Sequence, residues 1–151
     1  MNKLRKYLPL MAAALLAGAM LLLVGCEKEK KKTSDDITNI KWRLTKFVDT
    51  EDGNTEVVNA SKDFLWVIFN SDNSVDGIGC PNQLNGNFEY NFDRIKIEIG
   101  PRTFMNDICG FETRMCNALN KVNFIKQKNN ILLLYFNNNK NYLQFEKINE
   151  Q

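Results

Sequence analysis

Apolar and polar residues alternate along Ile40-Lys41-Trp42-Arg43-Leu44-Thr45-Lys46-Phe47, and this period of two predicts a strand with one buried face. Val48 to Ser61 carries Gly53 and shows little periodicity, so it reads as a loop with a short edge strand at most. Phe64 to Phe69 is a nearly continuous apolar run, the mark of a buried strand. Ser71-Asp72-Asn73-Ser74 is turn chemistry, and Val75 to Gly79 reads as the returning strand. Cys80 to Gly86 is expected to be a loop. Asn87 to Phe92 and Arg94 to Ile99 alternate again around a turn at Asp93, and Gly100-Pro101 ends that hairpin.

The period then changes. Phe111, Met115, Ala118, Leu119 and Val122 fall on one face of a helix expected over Ile108 to Asn120, with Asn106 or Asp107 as its N-cap. Gly110 weakens the first turn by about 1 kcal/mol. Val122 to Lys126, Ile131 to Phe136 and Tyr142 to Lys147 close the chain as strands separated by Asn-rich turns. The sum is an α+β domain: a curled antiparallel sheet of about eight strands packed around one helix.

The first 25 residues follow a different logic. Lys3, Arg5 and Lys6 precede an uncharged run from Tyr7 to Val24, and Leu23-Val24-Gly25 leads into Cys26. A basic start, an apolar stretch and a small residue before the break describe a secretory signal. Leu23 to Cys26 resembles the box at which bacterial lipoproteins are acylated on the thiol and cleaved just before it. A signal anchor with an incidental Cys26 is the competing reading. On the lipoprotein reading residues 1–25 are a signal peptide, 26–37 a charged flexible tether and 38–151 the folded domain. Glu27 to Asp36 holds no apolar residue and cannot bury itself. The protein is then expected in the bacterial cell envelope, held to the membrane through the lipid on Cys26, with the outer membrane as its site.

Charge and composition narrow the chemistry. From Thr38 onward 13 Lys and Arg face 14 Asp and Glu, a net of −1, which gives no electrostatic case for nucleic acid. The chain has no histidine, which removes the commonest general base and the commonest zinc ligand. No catalytic residue, metal site or cofactor is expected. Asp72-x-Ser74-x-Asp76-Gly77 opens like a calcium loop, but its twelfth position is the neutral Gln83, so a polar turn is the better account. Asp107 and Glu112 at i and i+5 do not share a helix face and are expected to be solvated. Phe104, Phe111 and Met115 could line an apolar pocket, although such residues more often form core.

Three cysteines lie in the domain: Cys80, Cys109 and Cys116. If Cys109 and Cys116 share the helix, they stand about 10 Å apart. A bridge needs Cα atoms within roughly 7 Å. Cys80 is therefore one partner of any bridge, with three reduced thiols as the alternative.

The order of these pieces resembles the META-domain family of small HslJ-like envelope proteins, from Ile40 to Ile148. Its opening W-x-L strand is matched by Trp42-Arg43-Leu44. Its glycine-rich segment ending in G-C-N is matched by Gly77-Ile78-Gly79-Cys80-Pro81-Asn82, with Pro81 inserted. Its T-x-M followed by Cys corresponds to Thr103-Phe104-Met105, with Cys109 two residues late. Glu112 and Leu119 match its helix, and ILLLYF and NYLQFEKI its last strands. The departures mark a divergent member. The resemblance implies a cracked barrel around a helix and a non-enzymatic binding or envelope-maintenance module for an envelope protein or apolar ligand. An inhibitor acting through an exposed loop, 80–86 or 49–63, is the alternative. The resemblance also places Cys80 and Cys109 at one end of the sheet, which favours their pairing and leaves Cys116 free.

Overall fold

The computed structural model describes residues 36–102 and 105–148, and these form nine strands and one helix. In chain order they are β1 (Lys41–Asp49), β2 (Thr55–Val57), β3 (Trp66–Phe69), β4 (Ser74–Ile78), β5 (Gln83–Asn91), β6 (Arg94–Ile99), α1 (Glu112–Leu119), β7 (Phe124–Lys128), β8 (Ile131–Phe136) and β9 (Asn141–Lys147). All strand pairs are antiparallel, and the sheet runs β6-β5-β4-β3-β1-β9-β8-β7, with β2 attached to β1. The sheet curls until its ends approach: the Ile125 N–H of β7 donates to the Asp93 carbonyl in the β5–β6 turn, 2.9 Å away. α1 connects these two edges, and the Asn120 side chain just past it accepts the Ile99 N–H at 2.7 Å. The result is a nearly closed eight-stranded barrel with one short helix.

Local chemistry sets where each element begins. β1 buries Trp42 and Leu44, then Phe47, so its alternation changes phase. The pairing with β9 jumps from Leu44–Phe145 to Lys46–Gln144, leaving Thr45 as the extra residue of a bulge that returns Phe47 to the inner face. β3 starts at Trp66 rather than Phe64, because the buried Leu65 takes a left-handed backbone (φ 57°) that no strand can hold. β5 starts at Gln83, four residues earlier than its apolar pattern suggests. Gly86 lies within it, where a side chain would collide with the Glu98 backbone of β6. Its strand role was hidden by a residue that ordinarily signals a loop.

The helix is shorter than its apolar face. Gly110 turns the chain at φ 76° and α1 begins only at Glu112. Phe111 occupies the N-cap position and offers no side-chain bond. Asp107 still caps, from a distance: its carboxylate accepts the N–H of Gly110 at 2.8 Å and of Thr113 at 3.1 Å. Asn129 and the run Asn137-Asn138-Asn139 take left-handed conformations in the closing turns.

The inner faces meet in one core. Trp42, Phe69, Leu132, Leu134, Leu143 and Phe145 from the sheet join Met115 and Leu119 from α1, all essentially without exposure.

Candidate functional site

Glu112 lies on the helix stripe that carries Met115 and Leu119, and it is buried to 1% exposure. The expectation of a solvated acid is corrected: the carboxylate points into the barrel end, against the turn between β4 and β5. One oxygen accepts the Cys80 N–H at 2.5 Å and the Asn82 N–H at 3.2 Å. The other accepts the Asn82 side-chain amide at 2.7 Å and the half-exposed Arg102 guanidinium at 3.2 Å. Asn82, itself 2% exposed, reaches on to the Met105 backbone, accepting its N–H and donating to its carbonyl, both at 2.9 Å. A buried carboxylate is tolerable only with this density of donors. Gly79 completes the fit, since a Cβ there would stand 2.5 Å from the Glu112 carboxyl.

The cysteines belong to the same cluster. Cys80 and Cys109 are paired, with Cα atoms 5.9 Å apart and a sequence separation of 29, and the Cys80 carbonyl accepts the Ile108 N–H at 3.1 Å. Asp107 lies close enough that its carboxylate and the two sulfurs fall within 4.8 Å of one another, a cation site only for the reduced dithiol. Cys116 is free and buried, and burial pushes its thiol up to about 11. The turn expected as a free loop over 80–86 is therefore pinned: Cys80 and Asn82 are buried and residue 83 already belongs to β5. This corrects the expectation that 80–86 is a loop throughout. Asp107 and Glu112 border a common cleft of about 360 Å³, with their oxygens engaged by the donors named above.

A second cleft, about 400 Å³, opens on the other flank of α1, between β1–β2 and the β8–β9 turn. Arg114 of α1 pairs with Glu56 of β2 and lays its guanidinium 3.9 Å from the Phe47 ring. Phe47 in turn stacks on Phe111, centroids 6.1 Å apart. On the facing wall the Asn137 amide donates to the Asn141 side-chain oxygen, and the Asn141 amide donates to Asp49, both at 2.9 Å. The Asp52 N–H, the Asn141 amide and the Glu51 N–H hold the Asp49 carboxyl below its usual range. Nothing in the chain's apolar pattern marked this cleft, because its lining is gathered from the ends of four strands, their turns and the helix, elements far apart in sequence.

Met115 is wholly buried in the core and Phe111 is half-buried against Phe47, while Phe104 lies outside the described residues. Cys26, the signal peptide and most of the tether also lie outside them. The Asp72 carboxylate accepts the Ser74 N–H and hydroxyl, and Asp76 accepts the Asn70 amide, which is turn chemistry. Among the described residues no helix is long and apolar enough to cross a membrane.

No family model and no curated protein matches the chain. Two solved structures share the fold. A DUF4847 family protein from Bacteroides vulgatus superposes with a TM-score of 0.61 at 17% identity, covering 76% of this chain and 96% of that one. A protein from Burkholderia xenovorans solved by NMR superposes with a TM-score of 0.62 at 15% identity, covering 76% and 85%.

Proposed function

We propose that this protein is a lipid-anchored binding module of the bacterial cell envelope, non-enzymatic, tethered through Cys26 and presenting the cleft beside α1 to its ligand. The observation that carries the anchoring is the box Leu23-Val24-Gly25-Cys26, set after an uncharged run and before a charged tether. Two acyl chains hold a protein stably where one does not, at about 0.8 kcal/mol per buried methylene. The resemblance to the META-domain family supports the same role. The cleft gives the binding reading its location: its side chains are ordered by mutual contacts while it remains open, the pre-organisation that lowers the cost of binding. Its polar lining suits a polar ligand better than the apolar one expected from sequence.

The inhibitor reading retains the exposed segment from Thr50 to Val57, whose short strand β2 stands at the rim of that cleft. Fractionation of cells expressing the wild type and Cys26→Ser tests the anchored reading. Wild type should sediment with the envelope and the variant should be released on lysis. Equal distribution of the two would overturn it.

A further inference from the structure

We infer that the cleft between β1–β2, α1 and the β8–β9 turn binds a neutral saccharide. This rests on reading the domain as a binding module, and adds the class of ligand.

The charges in the lining balance: Asp49 and Glu56 against Arg114 and Lys121. Three of the four are already engaged. Arg114 neutralises Glu56, and Asp49 accepts two backbone N–H groups and the Asn141 amide. An anionic ligand would meet one cation unengaged by any described residue, Lys121, together with two carboxylates. A zwitterionic peptide end would find no unengaged carboxylate.

What the cleft does offer is carboxamides, from Asn54, Asn117, Asn137 and Asn141. Each carries two donors and an acceptor with two lone pairs. The Asn137–Asn141–Asp49 chain uses only part of that capacity, and among the described residues the Asn54 and Asn117 side chains make no hydrogen bond. Groups that both donate and accept are matched by hydroxyls, which do the same. Arg114 and Asn117, at i and i+3, share one face of α1, and Lys121 stands in the turn just past it, so all three border the cleft from the helix side. Phe136, half-buried in the wall, supplies the apolar contact that the C–H face of a sugar ring needs. A volume of about 400 Å³ suits one or two sugar rings.

The test is a glycan array carrying neutral and uronic-acid saccharides, with immobilised dipeptides as a further arm, probed with the labelled full chain in detergent. Neutral saccharides should retain the wild type. Asn117→Ala should bind them about tenfold more weakly, the weight of one or two hydrogen bonds. Its thermal midpoint should not move, because the Asn117 side chain is exposed and bonds no described residue. Retention by uronic acids or dipeptides alone, lost in Asn117→Ala, would overturn the saccharide class while leaving the cleft a binding site. Neutral-sugar binding undiminished in both Asn117→Ala and Asn141→Ala would overturn the location. No retention in any arm would overturn the saccharide inference and remove the support for a binding cleft, while the anchoring, read by cell fractionation, would stand or fall separately.

Discussion

The Glu112 carboxylate occupies the space that a side chain at residue 79 would need. Glycine at 79 and glutamate at 112 are thus two halves of one fit, joining the β4–β5 turn to the start of the helix across 33 residues of chain. The pair also explains why Cys80 and Cys109 meet. The Cys80 N–H is held by Glu112, and only the left-handed Gly110 and Phe111 separate Cys109 from that helix.

Glu112→Ala should therefore be among the costliest single substitutions, at about 3–5 kcal/mol, because it strands the Cys80 and Asn82 donors in a buried site. Gly79→Ala should cost about 1–3 kcal/mol through overpacking. Denaturant midpoints of the two variants and the double variant check this. The double variant should be less destabilised than the sum of the singles, because the clash at 79 disappears with the carboxylate. Strict additivity would contradict the fit.

Cys80 and Cys109 should be recovered as one cross-linked fragment in non-reducing peptide mapping of the protein purified without reductant. Closing a loop of this length contributes roughly 3–4 kcal/mol in the chain-entropy picture. Alkylation of Cys80 without prior reduction would contradict the pairing.

Cys116 should resist alkylation in the native state and react on unfolding, since its thiol is buried and raised from 9.0 to about 11. The sign follows from linkage. A thiol raised by folding adds stability that is fully present below 9.0 and is lost as pH rises through about 11. Wild type should therefore lose more stability than Cys116→Ala between those values. Parallel pH profiles would contradict the burial.

Much of the fold was legible because its strands alternate. β8 matches its apolar run residue for residue, and β1 and β9 differ from theirs by one or two residues. Two of the misses share one cause, a local signal outvoted by a contact across the fold, whereas the late starts of β3 and α1 follow from the left-handed Leu65 and Gly110. Gly86 reads as loop until β6 is placed beside it. Glu112 reads as surface until Asn82 and Cys80 are brought to it. Its position on the stripe of Met115 and Leu119 was the available clue to burial. The cleft had no such clue, because exposed Asn, Lys and Arg carry no periodic signature.

Trp42 and Leu119 stand in the same core, from β1 and from α1. Leu119→Ala should cost roughly 2–5 kcal/mol, because the surrounding sheet cannot collapse onto the cavity. Chemical denaturation measures it, and an unchanged midpoint would contradict the packing of the helix within the curled sheet.

The account turns on Cys26. Cells expressing wild type and Cys26→Ser would be fed labelled palmitate, and the protein recovered and its label counted. The account predicts label in the wild type and none in the variant. Equal label in both would contradict the lipid anchor, and with it the reading of this domain as an envelope-tethered binding module.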